Sequence, residues 1–333
     1  MTALRDKPII VGIDGSDHAL SAVRWAAEEA TLHNAPLRLV HGIGTGWDLG
    51  PRVGEIRLHN QRYRDEGAAM LTEAERVARQ VIGSGTTEIS TELAWPTPVS
   101  VLVKRSHAAR LLVLGTRRMH AFDRAVLGSV SAVLVRRAGC PVVVVPAART
   151  PARSQPILVG VDGSPASVRA VDIAVEEAAA RDVDVVALLA WRRTDERESG
   201  HAAAQRARAV LSAGLAGYAE THPQVRIRRT VADGDPVRRI LDESAGTQLI
   251  VVGSRGRGGR TGFALGSVCR AVLDEATVPV LVARPRPGDR KYSHGIERRA
   301  SRDRRLDSSH ETKGSNPWSR SFWSTITKSS GTA

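Results

Sequence analysis

The chain has 333 residues, enough for two domains that each bury a core, and its 42% hydrophobic but only 4% aromatic residues point to an aliphatic globular interior. No apolar run approaches the roughly 18 residues of a membrane span, and none follows Arg5 and Lys7 as a leader would, so a cytoplasmic protein is expected. The net charge of +13 is uneven: Arg284 to Ala333 holds twelve Lys/Arg against five Asp/Glu, which makes the basicity largely a tail property and weighs against nucleic acid or a membrane surface as partner.

The first apolar run, Pro8-Ile9-Ile10-Val11-Gly12-Ile13-Asp14-Gly15-Ser16, returns 148 residues later as Pro156-Ile157-Leu158-Val159-Gly160-Val161-Asp162-Gly163-Ser164, the mark of an internal duplication. Such continuous apolar strands belong to parallel sheets covered on both faces. Each Ser opens a helix with apolar residues at three- and four-residue steps, Leu20, Val23, Ala27 and Ala30 in one half and Val168, Val171, Val175 and Ala178 in the other. Glu28-Glu29 and Glu176-Glu177 are assigned to the solvent side of those helices.

Second strands are expected at Leu37 to Gly42 and Val183 to Trp191. Helices follow, from about Leu58 to Val81 after an insertion containing Gly42, Gly44 and Gly46, and from about Ser199 to Glu220. Third strands at Glu88 to Ala94 and Val225 to Val231 lead to Thr97-Pro98 and Asp235-Pro236, each an N-cap residue before a helical proline. Fourth strands (Leu111 to Leu114, Leu249 to Val252) enter glycine loops, and fifth strands (Pro141 to Val145, Pro279 to Val282) close each half. The fold class is therefore α/β: two tandem doubly wound domains, each a five-stranded parallel sheet flanked by helices, over residues 1–150 and 151–284. A basic tail, 285–333, lacks apolar periodicity and is expected to be disordered.

The richest stretch is Gly253-Ser254-Arg255-Gly256-Arg257-Gly258-Gly259-Arg260-Thr261-Gly262-Phe263-Ala264-Leu265-Gly266-Ser267. Glycines bring main-chain N–H groups near a ligand, and the helix opened at Gly266-Ser267 offers free N–H groups and a positive dipole end, so an anion, above all a phosphate, is the expected guest. Ser267 is placed to cap that helix, to touch a phosphate oxygen, or both. The spacing is neither a Walker loop nor a dinucleotide turn. Cys140 and Cys269 have no metal spacing and are expected to be buried reduced thiols, the ten histidines are scattered, and no metal site is expected.

The Gly-x2-Gly-x9-Gly-Ser spacing, with the Asp-Gly-Ser turn and the strand order, resembles the universal stress protein family over about residues 5 to 284, as a tandem two-domain member. That resemblance implies an adenine nucleotide alpha hydrolase-like fold and ATP, with or without magnesium, in the crevice. Carried over, Asp162 lies on the adenosine side, Ala190 gives a main-chain contact to adenine, and Gly253, Gly256, Gly266 and Ser267 form the phosphate cradle. The first half keeps Asp14, Gly115, Gly128 and Ser129 but has Arg118 in place of the loop's second glycine, so weaker binding or none is expected there. No nucleophile–base pair converges on the loop, which favours a non-enzymatic, stress-response or regulatory nucleotide binder; slow ATP hydrolysis or self-phosphorylation on Ser254 or Thr261, or binding of nucleic acid or a membrane surface through the tail, are the alternatives. A homodimer through the fifth strand, or the same pairing between the two halves of one chain, is expected, as is a protein partner that the sequence does not identify.

Overall fold

The computed structural model describes residues 6–43, 55–119, 124–126, 128–146, 151–191, 200–256 and 265–284. Gly44 and Gly46, the loop residues Arg257, Arg260 and Thr261, and the tail 285–333 lie outside the described residues. The first half runs β1 (Ile9–Gly12), α1 (Asp17–His33), β2 (Leu37–Gly42), α2 (Glu55–Ile82), β3 (Ile89–Ala94), α3 (Pro98–Ser106), β4 (Leu111–Met119), β5 (Arg124–Val126), α4 (Ser129–Arg137) and β6 (Val142–Pro146). The second runs β7 (Ile157–Gly160), α5 (Pro165–Arg181), β8 (Val185–Trp191), α6 (Gly200–Gly214), α7 (Tyr218–Thr221), β9 (Ile227–Asp233), α8 (Pro236–Ser244), β10 (Leu249–Gly253), α9 (Ser267–Glu275) and β11 (Val280–Ala283).

The strands form one sheet in the order β3-β2-β1-β4-β6-β11-β10-β7-β8-β9, with β5 paired to β4 alone. Within each half the five main strands are parallel; β6 and β11 pair antiparallel, Val280 opposite Val144, Leu281 opposite Val143 and Val282 opposite Val142. The fifth strands thus meet inside one chain. Because they meet antiparallel, the carboxyl ends of the two parallel sets point to opposite edges of the common sheet. Alternate strand residues feed two cores: Ile9, Val11, Ile157 and Val159 pack with α1, α2, α5 and α6, and Ile10, Leu112, Leu158 and Ile250 pack with α3, α4, α8 and α9.

Local signals act where the residues place them. Ser16, Thr97, Ser164 and Asp235 each accept an N–H of the following first turn, and Asn34 and Asp182 end α1 and α5 in the left-handed region at φ 47° and 53°. The single helix expected from Ser199 to Glu220 is instead divided into α6 and α7, because Gly217 takes φ +84° between them.

Glu29 and Glu177 depart most from expectation. They are buried, 5% and 7% exposed, where α1 meets α5. Apolar periodicity marks the face toward the sheet, but it does not reveal that the flank of one helix covers its copy. Arg181 donates hydrogen bonds to both carboxylates, and His33 Nε2 lies 3.0 Å from Glu177 Oε2 and 3.5 Å from Glu29 Oε2. Arg110 Nη2 reaches His33 Nδ1 at 2.9 Å, a contact that asks for a lone pair on that nitrogen. Arg110 is partly exposed and the two glutamates are buried, so the Arg110 charge weighs less on the imidazole than theirs. Burial alone would depress the imidazole, but Glu177 and then Glu29 outweigh it and raise its pKa to about 9. Burial likewise pulls the Glu177 carboxyl up, and Arg181 followed by His33 overcomes this and holds it below the usual range.

A raised histidine pKa stabilises the folded state fully below the ordinary value of 6.5, and that contribution fades as pH climbs through about 9. Chemical denaturation from pH 6 to 9.5 should show a loss of up to about 3 kcal/mol in the unmodified chain and a much flatter profile in His33→Gln. Equal slopes in the two proteins would contradict the assignment.

Candidate functional site

In the second half the chain leaves β7 for β8 on one side and returns as β10 on the other, which makes the carboxyl ends of β7 and β10 the topological switch point of this parallel set. Asp162 follows β7, Ala190 lies near the end of β8, and Gly253 ends β10. Gly160 pairs with Leu188, and Asp162 and Ala190 each follow two residues beyond that last pair. Asp162 Oδ1 accepts the Ser164 N–H at 2.9 Å, an Asx-type turn that shapes Gly163-Ser164, the former at φ +75°. Ser164 Oγ accepts the Ser167 N–H at 3.2 Å and donates to the Arg255 carbonyl at 3.3 Å, tying the β7–α5 turn to the glycine loop.

The loop glycines meet different surroundings. A Cβ on Gly256 would lie 2.7 Å from Asp162 Oδ2, so the carboxylate borders the loop itself. A Cβ on Gly253 would lie 2.8 Å from the Ala166 backbone carbon, and one on Gly115 would lie 2.3 Å from the His18 carbonyl oxygen. Those two glycines are therefore required by the close seating of the first turn of α5 or α1 on the strand end, whatever the site holds. Gly266 is under no such constraint: its nearest neighbours, Arg255 Cα and Gly256 N, would be 3.4 Å from a Cβ.

Gly266, not Ser267, is the N-cap of α9, and Gly128, not Ser129, is the N-cap of α4. Both serines occupy the first helical position, so the capping role open to Ser267 in the sequence is not the one it has. Neither helix start carries a side-chain cap among the described residues, in contrast to α1, α3, α5 and α8. The Gly266 N–H is already donated to the Ser254 carbonyl at 3.0 Å, which fixes the loop's return against its departure. The N–H groups of the first turn of α9, which have no partner within the helix, point from that junction.

The first half is built differently at the corresponding place. There β4 continues through Gly115 to Met119 and pairs with β5, Arg118 opposite Ala125, where β10 stops at Gly253. Three residues, Arg124 to Val126, are too short a run to be legible as a strand. Asp14 Oδ1 takes both the Ser16 N–H at 3.1 Å and its hydroxyl at 2.5 Å, so the Ser16 hydroxyl turns to the exposed Asp14 where that of Ser164 reaches the loop. Among the described residues nothing lies within 4 Å of a Cβ placed on Gly128.

Among the described residues one group has a metal-like composition, Glu29, His33 and Glu177, with ligand atoms within 4.8 Å of one another. Its carboxylates are bonded to Arg181, whose guanidinium supplies the positive charge a divalent ion would bring. Cys140 and Cys269 are free and buried, and burial pushes both thiols up to about 12, away from thiolate chemistry. Among the described residues no helix is long and apolar enough to cross a membrane.

These features define a tandem α/β chain with a glycine loop at the switch point of its second half. The family model described as "Universal stress protein family" matches residues 7–146 and again 154–284, and the chain belongs to that family. A universal stress protein of Mycobacterium tuberculosis is 39% identical over 284 residues, covering 83% of this chain and 96% of the relative. One of Mycolicibacterium smegmatis is 39% identical over 299 residues, covering 84% and 97%. The crystal structure of a universal stress protein from Archaeoglobus fulgidus superposes with a TM-score of 0.63 at 18% identity, over 83% of this chain and 98% of that one, and shares the fold.

The glycine contacts separate folding from binding in mutants. Gly115→Ala and Gly253→Ala should each lose about 1–3 kcal/mol of stability by overpacking against helix backbone, whereas Gly266→Ala should unfold within about 0.5 kcal/mol of the unmodified chain. Urea titration of the three variants checks this, and a Gly253→Ala midpoint equal to that of Gly266→Ala would refute the steric reading.

Proposed function

We propose that the protein is a nucleotide-responsive regulator whose second half binds ATP at Asp162, Ala190, Gly253, Gly256, Gly266 and Ser267. The observation that carries this reading is the start of α9. It lacks a side-chain cap, begins at a glycine with room beside it, and stands next to Gly256 and the Asp162 carboxylate at the switch point. A phosphate suits those N–H groups and the dipole behind them. Asp162 suits a ribose hydroxyl where nucleoside and phosphates meet, and Ala190 offers main-chain atoms at the end of β8 for the base edge. The cradle therefore fits ATP, and magnesium would supply counter-charge to its phosphates.

The first half, with Asp14, Gly115, Gly128 and Ser129 but Arg118 in a strand, is the weaker site or none. In this reading residues 1–150 and 151–284 are the two domains, the setting is cytoplasmic, and occupancy biases docking of a protein partner by favouring one of two states. An enzymatic alternative through self-phosphorylation of Ser254 is disfavoured by its burial, 5% exposed.

Mass analysis of nucleotide released from purified protein tests the reading. One equivalent of adenine nucleotide per chain is expected, with a loss of tenfold or more in affinity for Asp162→Ala, as follows from removing a charged hydrogen-bond acceptor worth roughly 1.5–3 kcal/mol. Protein that takes up no adenine nucleotide at millimolar supply, or that binds two equivalents with equal strength, overturns it.

A further inference from the structure

The second half carries a cation that the first half lacks. Gly253 pairs with Ala283 as Gly115 pairs with Val145, so Arg284 stands where the first half has Pro146. The Ser254 N–H bonds the Ala283 carbonyl at 3.0 Å, which sets Arg284 level with Ser254 on the neighbouring parallel strand, one residue before Arg255 in the loop. Arg255 Cα also lies 3.4 Å from a Cβ placed on Gly266, at the uncapped start of α9. Neither guanidinium forms an ion pair with a described carboxylate.

Arg284 is not free to swing into water. Its Nη1 donates to the Val135 carbonyl at 2.6 Å, in the last turn of α4, which belongs to the first half. Carbonyls there lack partners within the helix and carry the negative dipole end, so they hold the guanidinium in place. Partial burial, and then the Arg255 charge, push the Arg284 pKa down.

Resting on the ATP reading above, we propose that Arg284, docked on α4 of the first half, is a charge-selective positioning residue of the second crevice: with Arg255 it favours polyphosphate over uncharged nucleoside. The first half then contributes to binding without contributing a ligand of its own, because the carbonyl that orients Arg284 lies on its helix. The ordinary alternative is an interdomain tie alone, with Arg284 closing the end of α4 and doing nothing for the nucleotide.

Calorimetric titration of the full-length chain with ATP, AMP and adenosine separates these. Arg284→Gln should weaken ATP by about tenfold, the size of a charge interaction near a protein surface, and leave adenosine within about twofold. The log–log salt dependence of ATP affinity should become shallower in the same variant, and Arg284→Lys should recover part of the ATP affinity. Arg255→Gln should reproduce the ATP-specific loss and, if Arg284→Gln folds poorly, carries the test by itself. Equal changes for ATP and adenosine, or no change for either, overturn the proposal and leave Arg284 as a tie between the halves. If the unmodified chain binds neither ATP nor adenosine, the ATP reading itself has failed.

Discussion

The antiparallel ladder between β6 and β11 is the interaction on which the rest of the architecture depends. Val142, Val143 and Val144 against Val282, Leu281 and Val280 convert two five-stranded parallel sets into one sheet, and every strand of the ladder is buried. Unpaired, the two fifth strands would be apolar edges of the kind that recruit other chains. Joining them internally leaves β3 and β9 as the outer strands of the path, and these are shorter of apolar residues, with Ser90, Thr91 and Glu92 on one and Arg228, Arg229 and Thr230 on the other. The same ladder sends the two crevices to opposite edges and brings α1 onto α5.

Much of this was legible. The duplicated Asp-Gly-Ser turns, the continuous valine and isoleucine runs and the Thr97-Pro98 and Asp235-Pro236 starts are local signals, and local hydrogen bonds satisfy them. What escaped the sequence is set by contacts across the fold. Glu29 and Glu177 look like solvated helix residues until the pseudo-twofold arrangement presses their flanks together. Gly115 and Gly253 read as ligand-facing glycines, yet the backbone of the first turn of α1 or α5 already excludes a side chain at both positions. The β4–β5 hairpin has no periodicity long enough to announce it, and Ser267, open in the sequence to capping the helix, to touching a phosphate or to both, sits one residue inside that helix.

The candidate site follows the same division. Its chain positions, at the carboxyl ends of β7, β8 and β10, come from spacing and topology together. Its asymmetry does not: Arg118 is visible as a missing glycine, but the ladder that takes up its backbone, and the different hydrogen bonds of Ser16 and Ser164, exist only in three dimensions. Equivalent residues in the two halves thus have unequal surroundings.

The seam between α1 and α5 shows what covalent linkage permits. Around a true twofold axis any substitution appears on both sides at once, and a histidine there must face another histidine. Here the positions related by duplication hold His33 and Arg181, an unlike couple sharing one pair of glutamates. Fusing the copies into one polypeptide frees each side of such a contact to change without imposing the same change on its mirror, so a titrating imidazole and a permanent cation can divide a task that identical subunits would have to perform with one residue type.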